Sequence, residues 1–253
     1  RSEECTVKKG DVCMQFVLHF SLKEKVLPLE FRRTIISFIK KALTQDGEGK
    51  YYELFFRGTD IKPYTFSVEL PKPKFTERGV VLADAKFRVR FSTAPFKRRE
   101  FILLNRIMGM KGVMFPLEQG NSMVLEHIQM YHAPAVRANQ ILVKSVVGGG
   151  ICVRDHHVDN TETYKAAGDE EFETMLKRNI AEQLKRAGLQ YANVDVHCAE
   201  GQKLIVRHFD MKIPVTKGYF VLSGERVALQ YLLEAGIGSR RSQGFGMVEL
   251  VTV

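Results

Sequence analysis

Gly236-Ile237-Gly238-Ser239-Arg240-Arg241-Ser242-Gln243-Gly244-Phe245-Gly246-Met247-Val248 joins a helical pattern at 225–235 to an apolar last strand at 244–253. A P-loop is excluded, because no Gly-Lys-Ser/Thr follows the glycines. A dinucleotide fingerprint runs from strand into helix, whereas this loop runs from helix into strand. Glycine permits positive φ and close approach to a ligand, successive N–H groups can form an anion nest, and arginine grips phosphate through two parallel hydrogen bonds. A helix C-cap glycine with a bulged strand start accounts for Gly236 and Gly244 but leaves the other glycines and both arginines unexplained. Gly236, Gly238, Ser239, Arg240, Arg241, Gln243, Gly244 and Gly246 are therefore read as a polyanion-binding loop.

Outward from the loop, the rest of the second half reads as strand 139–147, a Gly148-Gly149-Gly150 break with 151–154 continuing the strand, and a long helix. Asp169 caps that helix, Phe172, Leu176, Ile180 and Leu184 face inward, and Gly188 ends it at the position where positive φ is useful. Strands at 194–198, 203–214 and 218–222 precede the helix at 225–235. The first half has the same order. Strand 14–21 leads through Pro28 into a helix with Phe31, Ile35, Phe38, Ile39, Ala42 and Leu43 on one arc. A second helix covers 50–57, a strand covers 62–70, and 79–91 forms a strand or hairpin. Ser92 caps a helix over 95–108, and strands at 113–117 and 122–131 close the half. The expected class is α+β, with two tandem ferredoxin-like (RRM-like) βαββαβ domains. The division is an N-terminal arm at 1–13, a first domain at 14–133 and a second at 134–253 that carries the glycine loop.

The chain has 253 residues, 38 Lys+Arg against 29 Asp+Glu, and a net charge of +9. Its 45% hydrophobic and 26% charged content is that of a globular protein, which excludes coiled coil, collagen and disorder. No apolar run approaches the ~18 residues of a membrane span, and no secretory h-region follows the N-terminus. Cys5, Cys13, Cys152 and Cys198 form no CxxC pair, so a reducing cytoplasm is expected rather than a disulfide framework or a thiolate metal site. The basic excess points to nucleic acid, because Lys and Arg release counterions condensed on phosphate. Lys86, Arg88 and Arg90 alternate along one strand and so share a face. With Arg32, Arg33 and Lys41 of the first helix they are candidates for tracking a phosphate backbone.

Several stretches together resemble one family. GIGSRRSQGFGMVEL (236–250) looks like the C-terminal G-loop of the CRISPR repeat-cleaving endoribonucleases, the Cas-six family of the RAMP superfamily. MQFVLHFSL (14–22) looks like its first strand, and IKPYTFSVELPKPKF (61–75) like its Lys-Pro-Phe-Thr-Phe-Ser strand. VKSVVGGGICVRDH (143–156) stands in the place of its Ser-Pro-Ile-Val-Val-Arg segment, and EEFETMLKRNIAEQLKR (170–186) resembles its long helix with an Asn-x-x-x-x-Leu pattern. The resemblance spans 14–253. It implies binding of CRISPR repeat RNA and metal-independent cleavage of precursor crRNA. The ribose 2′-OH attacks the adjacent phosphate and leaves a 2′,3′-cyclic phosphate and a 5′-OH. It implies no cofactor, no metal and no membrane, a monomer or homodimer, and CRISPR effector-complex subunits as further partners.

The resemblance also sets a chemical problem. The family places a histidine just before the TFS strand, a tyrosine on the first helix and a lysine at the strand start. Here Phe56 falls at the histidine position, Ser37 near the tyrosine position, and only Lys62 matches. Lys62 is the candidate for neutralising charge at the phosphate. Tyr51 or Tyr52, with Tyr52 preferred, would position the 2′-OH, and Arg57 would clamp phosphate. Lys40 and Ser37 share a helix face with Arg33. His156, in a histidine pair read as a polar loop, is the other source of a base. The competing expectation is a non-catalytic RAMP subunit that only binds repeat RNA. A third is an unrelated tandem ferredoxin-like RNA-binding protein.

Overall fold

The computed structural model describes residues 14–45, 47, 49–57, 62–156, 159 and 161–251. The arm read at 1–13, with Cys5 and Cys13, and His157 lie outside the described residues. The first half comprises β1 (Met14–Leu22), β2 (Val26–Leu27), α1 (Phe31–Leu43), α2 (Lys50–Phe56), β3 (Tyr64–Glu69), β4 (Lys74–Thr76), β5 (Gly79–Val81), β6 (Lys86–Thr93), α3 (Arg99–Met108), β7 (Met114–Pro116) and β8 (Ser122–Tyr131). The second comprises β9 (Gln140–Ser145), β10 (Val153–His156), β11 (Glu162–Lys165), α4 (Phe172–Arg186), β12 (Val194–His208), β13 (Met211–Gly224), α5 (Arg226–Ala235) and β14 (Val248–Leu250).

The main sheet of the first half has the order β3-β6-β1-β8-β7, and that of the second β12-β13-β9-β14. With β7 set aside, both are the antiparallel order of a ferredoxin-like βαββαβ unit, so the α+β class and tandem architecture hold. Period-two alternation explains the first layer. Phe16, Leu18 and Phe20 of β1 are fully buried beside Phe38, Ile39 and Leu43 of α1, while Gln15, His19 and Ser21 point to the other face. All six apolar positions of the expected α1 arc are buried, and Arg33 and Ser37 are exposed. In α4, Phe172, Leu176, Ile180 and Leu184 pack in the second core.

Five local expectations are corrected. Ser92 is no cap: it lies in β6 and accepts from the Gln15 amide at 3.2 Å, and α3 begins at Arg99 after Lys97 and Arg98 turn at positive φ. Asp169 does not cap α4, which follows Glu171 at φ 63; its carboxylate receives the Ala166 N–H at 2.9 Å and Lys203 at 2.7 Å. Residues 151–154 do not continue β9: Ile151 bridges to Thr216 and Cys152 to Ser239, and 153–156 pair with β11 as a two-stranded ribbon, so His156 ends a strand rather than sitting in a loop. The last strand is only Val248–Leu250, and Gly244 remains in the loop.

The fifth concerns the segments read at 194–198, 203–214 and 218–222, which are two long strands. The supposed break is a bulge between Cys198 and Glu200. Pro214 lies within β13, opposite Ile205, beyond the part of β13 that pairs with β9. A proline is tolerated there because no third strand needs its donor. The true reversal is Phe209-Asp210, at φ 48 and 62. Such a turn normally calls for Asn-Gly. Here the Glu30 carboxylate receives the N–H of Phe209 at 2.9 Å and of Asp210 at 3.4 Å, and Arg33 lies 5.4 Å from the Phe209 ring. The hairpin tip is thereby fastened to the start of α1 in the other half.

Candidate nucleic-acid interface and cleft

Asn179, on α4, organises the junction of loop, ribbon and helix. Its amide donates to the Arg154 carbonyl at 2.9 Å, and its oxygen accepts the Arg154 N–H at 3.2 Å and the Ser239 hydroxyl at 2.7 Å. The Asn-x-x-x-x-Leu pattern thus has a structural meaning: Asn179 pins the glycine loop to β10, and Leu184 anchors the same helix in the core.

The loop is held from within at nearly every turn. Gly236, Gly238, Gly244 and Gly246 have φ of 77, 80, 92 and 80. A Cβ would approach a backbone carbonyl oxygen to 2.6 Å at Gly236, 2.6 Å at Gly238 and 2.4 Å at Gly246, and the Phe66 ring to 2.9 Å at Gly244. Internal packing therefore accounts for all four glycines, including the two that a cap and bulge leave out. Gly246→Ala is expected to cost about 2–3 kcal/mol, combining left-handed strain with a backbone clash. A urea midpoint equal to wild type would show that the loop relaxes freely.

Arg240 is committed as well. It is 10% exposed, pairs with Glu162 at 2.9 Å, donates to the Tyr164 hydroxyl at 2.6 Å and to the Gln243 amide oxygen at 2.8 Å. Glu162 also takes Arg154 and the Tyr164 hydroxyl. Burial pushes the Glu162 carboxyl up, but the Tyr164 hydroxyl and the two guanidinium groups outweigh it and hold it at about 2. Arg241 donates to the Ala235 carbonyl at 3.1 Å and is only half-buried.

A cleft of about 620 Å³ is lined from the second half by Arg154, Asp155, His156, Arg178, Glu182, Arg186 and loop residues 238–243, among others, and from the first half by Lys62. Of the six catalytic candidates, Lys62 and His156 line it; Tyr52, Arg57, Ser37 and Lys40 do not. Tyr52 stacks on Phe56 at 5.2 Å, exposed Arg57 pairs with Glu53 at 3.1 Å, and Ser37 is exposed on α1. Lys62 and Lys40 bring their ammonium groups within 5.0 and 5.2 Å of the Phe56 ring. Burial, then the Lys40 charge, lowers the Lys62 pKa. His156 is 56% exposed, with Nδ1 4.0 Å from Glu162.

The backbone-tracking candidates divide. Arg32 is 8% exposed, donates to the Gly148 carbonyl at 2.9 Å and the Gly244 carbonyl at 3.3 Å, and lies between the Phe31 and Phe245 rings at 4.8 and 4.9 Å. It braces the two halves instead of presenting a surface charge. Burial brings its guanidinium down to about 10, against the pull of Glu30. Arg33 and Lys41 are exposed on α1. Lys86, Arg88 and Arg90 share a sheet face, as the alternation requires, but Arg88 pairs with Glu69 at 2.8 Å and Arg90 with Glu249 at 3.2 Å.

Sequence reading missed Arg178 and Arg186 as cleft residues, Glu162 and Tyr164 as the hub behind Arg240, and His208 beneath the loop. Glu162 and Tyr164 lie on β11, which the sequence does not announce, and no linear signal brings His208 to Gln243. Among the described residues no group of three or more His, Cys, Asp or Glu is arranged to hold a metal ion, and no helix is long and apolar enough to cross a membrane.

Residues 132–250 match the family CRISPR associated protein Cas6, C-terminal. No curated protein matches the sequence. A solved structure of a Cas6-related protein from Pyrococcus furiosus superposes with a TM-score of 0.77 at 16% identity, covering 94% of this chain and 98% of that one. An RAMP protein that binds different RNA substrates superposes with a TM-score of 0.75 at 14% identity, covering 94% and 100%. A Cas6 product complex gives 0.66 at 13% identity, covering 95% and 100%. The resemblance read from the sequence thus finds a family match over residues 132–250 and a shared fold over 94–95% of the chain.

Proposed function

We propose that this chain, which matches the Cas6 family over its C-terminal half and shares the fold of Cas6 and RAMP proteins throughout, binds CRISPR repeat RNA in its interdomain cleft and cleaves precursor crRNA there, in the cytoplasm. The carrying observation is that Lys62 from one half and His156 with the glycine loop from the other line a single cationic cavity. Cleavage needs a base for the 2′-OH, a partner for the charge that builds on the phosphate oxygens, and a proton for the departing 5′-oxygen. His156, the histidine of the cleft, takes the 2′-OH proton on a ring nitrogen. The new bond forms from the 2′-oxygen to phosphorus, and the bond to the 5′-oxygen breaks. Lys62, partly desolvated and beside Lys40, is suited to giving the leaving oxygen its proton. Arg241 supplies cationic charge to the backbone, whereas Arg178 and Arg186 must exchange Asp155, at 2.7 Å, and Glu182, at 2.8 Å, to do so.

The non-catalytic reading retains one supporting observation: Phe56, at the family's histidine position, presents a ring to two ammonium groups. Single-turnover cleavage of a labelled repeat by wild type and Lys62→Ala separates the readings. Slowed cleavage with retained affinity supports catalysis, and wild-type binding without cleavage supports the binding subunit.

The two loop arginines should behave differently. Arg241→Ala is expected to lower the salt slope of RNA binding by roughly 0.7, the value of one single-strand phosphate contact. Arg240→Ala, whose charge is matched by Glu162, should weaken binding with less change in slope. Equal slopes for both variants would mean that Arg240 leaves Glu162 for the RNA.

A further inference from the structure

His208, the last residue of β12, is 0% exposed and lies against the Phe209 and Phe245 rings at 4.5 and 5.0 Å. Its Nε2 is 2.9 Å from Oε1 of Gln243, and the same oxygen accepts Nη1 of Arg240 at 2.8 Å. An amide oxygen only accepts, so this pairing assigns the imidazole proton to Nε2. Nδ1 is then bare, and it is buried with no hydrogen-bond partner.

We infer that His208 is a positioning residue for the glycine loop: neutral and protonated on Nε2, it locks Gln243 and Arg240 in place, and acid releases the lock. A second proton on Nδ1 would find no acceptor. It would also set a cation facing Arg240 of the loop and Arg32 of α1, with Glu30 of α1 as the opposing carboxylate. Burial first, and then these two guanidinium groups, lower the His208 pKa against the Gln243 hydrogen bond and Glu30. With the folded value below the unfolded value of about 6.5, the imidazole's contribution is complete above that pH and is lost as pH falls through the folded value. The loop is the side that yields. On the other side, Phe209 is fastened by Glu30, whereas Gln243 and Phe245 belong to the loop itself.

The consequence for RNA rests on the proposed function, so the test has an RNA-free arm. Amide exchange of Ile237, Ser239 and Gly246, which donate to Gly246, Cys152 and Gly150 carbonyls, is measured by NMR at pH 7 and pH 5 and corrected for intrinsic rates. Repeat-RNA affinity is measured at the same pH values in a His156→Gln background, which removes the cleft histidine. Protection and affinity should each fall on acidification from pH 7 to pH 5, because the folded pKa lies below the unfolded one. His208→Gln, which keeps an N–H donor and cannot titrate, should abolish both changes. Equal acid losses in His208→Gln, or unchanged loop protection in wild type, overturn the inference. If His208→Gln does not fold, the ring is titrated in the wild-type chain, and a value at or above about 6.5 also overturns it. Loss of protection in a chain that binds no repeat RNA at either pH upholds the lock and refutes the RNA reading alone.

Discussion

Arg32→Ala is expected to lower folding stability by about 3 kcal/mol, because it strips hydrogen bonds from one buried and one partly buried carbonyl and empties a slot between two rings. Those carbonyls, on Gly148 and Gly244, lie in the two loops that face α1 from the second half. Arg32→Lys should recover little, since one ammonium cannot reproduce a planar fork reaching both oxygens while stacked on Phe31 and Phe245. Lys41, exposed near the other end of the same helix, provides the control, with an expected change from Lys41→Ala within about 0.5 kcal/mol. Denaturant unfolding of the three variants measures this directly. An Arg32→Ala chain of wild-type stability and reduced RNA affinity would restore Arg32 to the role of a phosphate contact.

His156→Ala is expected to slow single-turnover cleavage by about 10²-fold, the lower end of what a positioned general base contributes, with repeat affinity within about twofold of wild type. The reasoning is local. His156 ends β10 at the cleft wall, more than half exposed, with a carboxylate 4.0 Å behind it. It can therefore meet a ribose without being needed for packing. A wild-type rate in His156→Ala removes it from the reaction and leaves Lys62 as the remaining candidate in the cleft.

Much of the fold was legible because its signals are local. The β1 alternation, the α1 arc and the Phe172–Leu184 stripe each report the face that packs, and the repeated element order follows from them. The errors arose where the stabilising partner is distant in sequence. Phe209-Asp210 turns at positive φ without Asn-Gly because Glu30, in the other half, receives its amides. The ribbon of β10 and β11 carries the Arg154, Glu162 and Tyr164 cluster, and its reward comes from Arg240 of the loop. A strand without such a partner would not be worth forming, so nothing in its own residues announces it.

The site was half legible for the same reason. Residue types identified the loop as a place where backbone and arginine meet, but they could not distinguish arginines offered outward from those consumed inside. Arg32 and Arg240 look like phosphate ligands in sequence and are largely occupied by carbonyls, rings and Glu162 in the fold. Lys62 and His156, 94 positions apart in the sequence, line one cavity only because the two halves pack together. Tyr52 and Arg57 were reasonable by residue type, yet neither lines that cavity, because Tyr52 stacks on Phe56 and Arg57 pairs with Glu53.

The most direct measurement is single-turnover cleavage of a labelled CRISPR repeat, taken from the array beside the gene, in excess EDTA. A 2′-deoxy substitution at the cut site serves as the control. Cleavage in EDTA that ends in a cyclic phosphate and is abolished by the deoxy substitution is the predicted result. Tight binding without cleavage of the unmodified repeat would contradict it and make this chain an RNA-binding subunit.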